Sequence, residues 1–412
     1  MQPDVVIVGA GAAGVGAGLA LQARGVPFVI LEAMVRVGGR AFTDRVSLPG
    51  AWDQGCHWFH CADVNPLVAW ADRLGTDYDD RDNMTSAIWR AGQWLDAAAN
   101  ARAESAIDAG FTDIYAAADA AVDRSLDEIL PKSGDWAPVI RNIARLMSSA
   151  EPDAVSARGY ADYTDTQVNF AVRSGYGDLI ERMAANLPIR LSMPVTRITQ
   201  AADGVRVMTG GDEIKAKAVI VTASTNVLAS GAIRFDAQAV QPVLDRLADV
   251  PCGAYEKVAV ALRRLPVEMD AQFCWLEPAD GTRGVNVQVV AGTAPMLIAH
   301  FGGNDAVELA SEGDRAMVAL VTERLVDAFG SALRSDILGA ALTGWQKNPF
   351  VRGAYSHTRP GYSARRHEMI AAQTGDIVFA GEAFSPNWFA TAHGAYQSGQ
   401  DAAMRLADRF AA

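Results

Sequence analysis

The chain has 412 residues, half of them apolar and a fifth charged, with a formal net charge of −12. That length supports two domains around a large core, and the acidic balance argues against nucleic acid as a partner. No apolar run is long enough to span a membrane and a strand pattern begins at residue 4, so neither a membrane partner nor a signal peptide is expected; the four cysteines (Cys56, Cys61, Cys252, Cys274) show no zinc spacing and no disulfide framework, so no metal is expected and the expected setting is a reducing cytoplasm.

Asp4–Val8 reads as a buried strand. Gly9-Ala-Gly11-Ala-Ala13-Gly14 follows as a glycine turn, a helix rich in small residues runs over Val15–Arg24, and a second strand, Pro27–Leu31, ends on Glu32. Strand, glycine turn, helix, strand and acid in that order are the fingerprint of a site for an ADP-containing dinucleotide. Gly9, Gly11, Ala13 and Gly14 are the expected cofactor positions. Gly9 permits the tight turn, Gly11 lets the main chain approach a pyrophosphate, and Gly14 lets the helix pack on the strand. The helix N-terminus offers N–H groups and a positive dipole end, and Glu32 can accept hydrogen bonds from both ribose hydroxyls. A second glycine turn, Val37-Gly38-Gly39-Arg40, brings an arginine fork to the same phosphates.

Residues 66–170 are alanine-rich with helical periodicity, including a helix over Trp94–Ala121. Ser174-Gly-Tyr-Gly-Asp opens a further helix. Strand patterns follow at 189–191, 194–198, 204–208 and 217–222, with a hairpin turn at Asp203-Gly204. Three more strands, Glu256–Leu262, Gly284–Val290 and Met296–Phe301, precede a long helix over Asp314–Phe329. The chain returns to a strand at 376–380 and closes with a helix over Gly394–Phe410. Lysine is scarce, so Lys257 stands out at the start of an apolar strand. There it either snorkels to solvent or is buried, in which case desolvation lowers its pKa.

The run Glu32-Ala-x-x-x-x-Gly38-Gly39-Arg40 resembles the flavin amine oxidoreductases: monoamine oxidases, polyamine and spermine oxidases, and flavin-type histone demethylases. Met34 departs from the pattern, since many members carry a basic residue there. Val378-Phe-Ala-Gly381-Glu382, followed by Thr391-Ala392-His393-Gly394, resembles the second flavin motif of the same family, at the opposite end of the chain. The resemblance implies an α/β fold: a discontinuous FAD-binding Rossmann-like domain of the monoamine-oxidase type (1–75, 171–235 and 345–412) with an inserted α+β substrate domain (76–170 and 236–344).

The resemblance also implies roles. Gly55, Cys56, His57 and Trp58 would pass along the flavin ring, with His60 where the substrate amine enters, as in the W-x-H run of polyamine oxidases. Val195 would meet the adenine through its main chain. Glu382, after Gly381, would reach the ribityl or pyrophosphate region, and the N–H groups at Thr391 and Ala392 would face the flavin N1–C2=O edge. Lys257 would hold a water against flavin N5. Trp345 opens the segment lining the substrate face. In that segment Ala354 replaces the cysteine that binds flavin covalently in mitochondrial monoamine oxidases, so the FAD is expected to be non-covalent. Tyr355 would form one wall of an aromatic cage. Thr391 stands where the other wall is tyrosine, leaving Trp58 or Trp388 to complete it. The implied activity is oxidation of a small amine at its C–N bond, with O2 as acceptor. An L-amino-acid oxidase or dehydrogenase of the same fold and a non-catalytic flavin scaffold are the alternatives. Trp58 stands where the former commonly has a carboxylate-pairing arginine. Nothing in the sequence indicates an oligomer.

Overall fold

Val5–Val8 is buried along its whole length, as a strand covered on both faces must be. It lies at the centre of a five-stranded parallel sheet. The order across the sheet is Ile189–Arg190, Phe28–Leu31, Val5–Val8, Ala218–Val221 and Ile377–Phe379. Alternate residues serve opposite faces. Val5, Ile7, Ile30, Ala218 and Ile220 pack against the first helix (Ala12–Ala23) and the closing helix (Ala392–Ala411). Val6, Val8, Val29, Leu31, Val219 and Val221 pack on the other face, against a four-stranded sheet whose central strands are Val195–Ala201 and Gly204–Thr209. These features belong to a computed structural model that describes residues 2–81, 85–173, 175–266, 272–278 and 283–411. Ser174, expected to open a helix, lies outside the described residues; the helix itself runs over Tyr176–Met183.

A seven-stranded sheet forms the second body. Its order is Ile337–Leu342, Tyr255–Leu262, Met296–Gly302, Val285–Val290, Phe273–Glu277, Ser86–Arg90 and Gln93–Trp94. Val258, Val260, Leu297 and Ala299 turn toward the helix Asp314–Phe329, which contributes Met317, Val321 and Leu325. Ala259, Ala261 and Ile298 take the opposite face and meet Leu48 and Trp52 from the glycine-turn half of the chain. Lys257 is two residues from Ala259 and shares its face. His300 is its register partner on the next strand.

Two expectations need correction. The helix expected from Trp94 begins at Ala97, because Asp96 caps it by accepting a hydrogen bond from Ala99 N–H; Trp94 belongs to a short strand paired with Trp89. The helical reading of 66–170 also missed Ser86–Arg90. That strand is specified by its parallel pairing with distant Phe273–Glu277, a partner that local periodicity cannot reveal.

Candidate active site

The glycines at the first turn do different work. Gly9 has φ +100°, and a Cβ on Gly14 would fall 1.9 Å from the Gly9 carbonyl oxygen, so neither position accommodates a side chain. Gly11, by contrast, borders open space. A Cβ there would meet only Gly38 O at 3.8 Å and Gly39 Cα at 3.9 Å, while Gly381 (φ +138°) has nothing within 4 Å. Gly11 therefore leaves an open cradle at the N-terminal end of the first helix, where its free N–H groups emerge, and Gly381 leaves open space at the end of the strand Ile377–Phe379. This cradle fits the phosphates of a dinucleotide. Ala13 is buried in the same turn, with its carbonyl oxygen 1.9 Å from where a Cβ on Gly399 of the closing helix would stand.

Glu32 is buried. Its Oε2 accepts Ala10 N–H at 2.7 Å and its Oε1 accepts Met34 N–H at 2.8 Å. Burial raises its pKa against the pull of those N–H groups. Each oxygen keeps a second lone pair, as hydroxyl partners require. Main-chain Met193 N–H donates to Glu32 O at 2.8 Å, which ties the segment leading into Val195 to the acid. The Val195 side chain lies in the core, so only its main chain is available to a ligand. Arg36 buttresses the second glycine turn, donating to Val37 O and Gly39 O and lying 4.0 Å over the Phe42 ring.

Arg40 and Glu382 do not stand as separate contacts. Arg40 Nη1 donates to Glu382 Oε1 at 3.0 Å and to the Ala354 carbonyl. Glu382 Oε2 accepts from Ser356 Oγ at 2.7 Å, Ser356 N at 3.2 Å and Ala390 N at 3.0 Å. Burial would neutralise this carboxyl, but Arg40 and Arg366 outweigh it and hold its pKa below the usual glutamate value. Burial likewise opposes the charge on Arg40, and Glu382 reverses that too. Arg366 is fully buried, donates to Ser356 Oγ and Ala383 O at 2.9 Å each, and lies 4.2 Å from the Phe389 ring. Burial pushes it down to about 10 while Glu382 pulls the other way. Glu382 is thus a buried junction for the second glycine turn, the Ala354–Ser356 segment and the turn before the closing helix. At Gly55 a Cβ would lie 1.7 Å from the Arg40 carbonyl oxygen and 3.6 Å from the Trp345 ring, so the residue also sets a close approach to the Arg40 main chain.

Lys257 is buried, not snorkelling. Its Nζ donates to Asp53 O at 3.0 Å and Gly55 O at 2.7 Å and lies 3.1 Å from His57 Nδ1. Burial lowers its pKa to about 8, against the attraction of Asp53. The Asp53 carboxylate itself turns to the N-terminus of the Tyr176–Met183 helix, accepting Tyr176 N–H at 2.9 Å and Thr43 Oγ1 at 2.6 Å. Cys56 is a protonated packing group, its thiol pushed up to about 11 by burial. Trp345 Nε1 donates to Gln54 O at 3.2 Å, and its N–H donates to the buried carboxylate of Glu256 at 3.2 Å.

Aromatic rings continue from this group. Tyr355 is anchored by its hydroxyl to the Leu146 carbonyl, and its ring lies 5.8 Å from Tyr255. Tyr255 OH bonds His300 Nδ1 at 2.7 Å, the His300 ring lies 6.3 Å from Phe273, and Phe273 stacks on Trp58 at 6.1 Å. The ring in contact with Tyr355 is therefore Tyr255. Thr391 instead caps the closing helix, donating to Trp388 O at 2.7 Å and accepting Gly394 N–H at 3.0 Å. The free first-turn N–H groups begin at Ala392. His60 is exposed and bonded to Asn169 Oδ1 at 2.9 Å, and no hydrogen bond joins it to Lys257 among the described residues. Trp388 is beside His393, whose pKa burial lowers to about 3.

Tyr255, His300, Phe273 and Arg366 were not read from the sequence. His300 carried the same signal as Lys257, a polar residue inside an apolar strand.

A sequence model described as flavin containing amine oxidoreductase matches residues 12–151 and 92–407. The chain belongs to this family. Among its relatives, lysine-specific histone demethylase 2 of Homo sapiens is 25% identical over 440 residues, covering 98% of this chain and 53% of the relative. Polyamine oxidase 4 of Oryza sativa subsp. japonica is 26% identical over 431 residues, covering 97% and 88%. This flavin amine oxidoreductase chain thus spans about half the length of the histone demethylases it matches. Cyclohexylamine oxidase from Brevibacterium oxydans IH-35A has a TM-score of 0.83 at 22% identity over 100% of both chains. A triple mutant of putrescine oxidase with redesigned cofactor binding reaches 0.81 at 21% over 99% of both. These two likenesses establish the shared α/β fold of the flavin amine oxidoreductases, and a flavin is the cofactor the family implies. Among the described residues no helix is long and apolar enough to cross a membrane, and no group of His, Cys, Asp and Glu is placed to hold a metal ion.

Proposed function

We propose that this chain oxidises the C–N bond of a small amine to an imine, which water hydrolyses, using non-covalent FAD and passing the electrons to O2 to give hydrogen peroxide. When bound, the flavin supplies the hydride-accepting chemistry. Gly9, Gly11, Ala13, Gly14, Glu32, Gly39 and Arg40 hold its ADP half. Gly55, Cys56, His57, Trp58, Val195, Trp345, Gly381, Glu382, Thr391 and Ala392 border the remainder, and Ala354 offers no thiol for a covalent link. Tyr355 orients the substrate, and His60 lies toward its entry.

The observation that carries the reading is the setting of Lys257: a buried lysine tied to the Asp53–His57 main chain, beneath a wall of aromatic rings. An apolar wall favours the neutral amine, the form with a free nitrogen lone pair, over the ammonium. The buried carboxylates of Asp53, Glu256 and Glu382 are taken up by protein donors, which supports a substrate with an apolar carbon body. The proposed FAD domain (1–75, 171–235, 345–412) is supported by the parallel sheet, whose five strands all come from those segments. A reducing cytoplasm is supported by four free cysteines. The test is an amine panel mixed anaerobically with the yellow protein, followed by admission of air. Bleaching by an amine and peroxide on reoxidation are expected; bleaching by amino acids alone, or by nothing, would overturn the reading.

A further inference from the structure

The ammonium of Lys257 has three N–H bonds and no lone pair, and all three have acceptors: Asp53 O, Gly55 O and His57 Nδ1. Charged Lys257 therefore has no donor left for a water or a substrate. Two of those acceptors are amide carbonyls, which do not carry protons onward. The third is an imidazole, which does. Lys257 is 2% exposed, whereas His57 is partly exposed. The ring hydrogen bonds of His57 all fall on Nδ1, the other partner being Gly55 O at 3.2 Å, so among the described residues Nε2 is the open end of the pair.

We infer that Lys257 and His57 form one proton relay, in which a proton accepted at His57 Nε2 is stored as the Lys257 ammonium, and that this pair is the base that deprotonates an incoming alkylammonium substrate. The inference rests on the amine-oxidation reading above. In the receptive state Nζ is a neutral amine. Its two N–H groups donate to the two carbonyls, and its lone pair accepts from His57 Nδ1–H. An N–H bond of the substrate ammonium breaks as one forms on Nε2; the Nδ1–H bond breaks as one forms on Nζ. The products are a neutral amine, ready for C–N oxidation, and a Lys257 ammonium bonded to the Nε2–H tautomer of His57. One proton and one positive charge have moved, and no electrons.

The surroundings favour storage on the lysine. Asp53 faces Lys257, while Lys257, His300 and His60 face His57. Burial, then the charge of Lys257, holds both His57 and His300 well below the usual histidine value. An imidazolium is therefore not a resting place, and a proton taken at Nε2 passes through. Burial leaves Lys257 at about 8, where it can both take and release a proton near neutrality.

The test follows the His57 tautomer in flavin-loaded protein labelled with 15N-histidine, assigned by difference against His57→Gln. Expected is the Nε2–H tautomer at about pH 6.5 and the Nδ1–H tautomer at about pH 9.5, on either side of the Lys257 value, with no exchange in Lys257→Met. A single tautomer throughout, or an imidazolium at the lower pH, would overturn the relay. In anaerobic bleaching by the best amine of the panel, His57→Gln should slow the low-concentration rate about 100-fold near neutrality. The deficit should shrink as pH rises and the amine arrives neutral. A deficit equal at every pH would also overturn the relay. Tautomer exchange without bleaching by any amine would leave proton storage standing and remove the functional reading; bleaching without exchange would do the reverse.

Discussion

A buried ammonium held only by neutral acceptors carries a desolvation cost that the nearby charge of Asp53 offsets only in part, and that is the state of Lys257, since Asp53 offers it a carbonyl and not its carboxylate. Methionine matches the length of the lysine stem without the charge. Lys257→Met is therefore expected to keep the fold and the yellow flavin and to slow anaerobic bleaching about 100-fold; an unchanged bleaching rate would remove Lys257 from the chemistry. Glu382 is the opposite case, a buried carboxylate between two guanidinium groups. Glu382→Gln strands Arg40 and Arg366 and should cost about 3–5 kcal/mol in urea unfolding. The pH dependence has a definite sign. The folded-state pKa lies below the unfolded value, so the stabilisation is full above about pH 4.3 and is lost as pH falls through the folded value. The mutant should lose this acid-side slope. The two residues were also unequally legible. Lys257 showed itself as a charge in an apolar strand, and Glu382 through its motif, whereas Tyr255 and Phe273 carried no signal beyond being aromatic, for which packing is the ordinary reason.

At the scale of elements, legibility followed locality. Val5–Val8 and Ala218–Val221 are short, wholly apolar and bounded by polar or turn residues, so their burial could be read directly. Phe273–Glu277 and Ile337–Leu342 could not, because their stability comes from partners far along the chain. The contact between the first and closing helices was also invisible in sequence, although its cause is small residues on both: a Cβ on Gly399 would stand 1.9 Å from Ala13 O, and one on Gly16 2.3 Å from Tyr396 O. Gly399→Ala must push the helices apart, and the displaced atom belongs to the phosphate turn. We expect a loss of about 1–3 kcal/mol together with weaker FAD binding, measured by flavin fluorescence titration. Gly25→Ala is the control. At φ +66° with nothing within 4 Å, it should cost about 1 kcal/mol of backbone strain and leave FAD affinity unchanged. Equal FAD affinity in both mutants would separate the helix contact from the cofactor turn.

At the scale of the molecule, the residues around the proposed flavin site come from stretches scattered along the chain, near residues 9–14, 32–40, 53–58, 253–257, 345–356 and 381–394. The protein cross-links some of them unaided: Lys257 ties the seven-stranded sheet to the Asp53–His57 segment, and Glu382 ties the closing-helix turn to Arg40 and Ser356. A dinucleotide along the same path would add cross-links between the two bodies, and a ligand that binds only the folded state raises stability by RT ln(1 + [L]/Kd). ADP offers a comparison because it can reach the first glycine turn, Glu32 and the second glycine turn but not the Gly55 and closing-helix segments. At matched saturation, about 100 times Kd, both ligands should contribute about 2.7 kcal/mol to global unfolding. They should differ in which parts are protected. Hydrogen exchange should slow at residues 9–40 with either ligand, and at residues 53–58 and 391–395 only with FAD. Protection of the latter stretches by ADP would mean that they are ordered through the protein alone, and that the flavin half of the cofactor lies elsewhere.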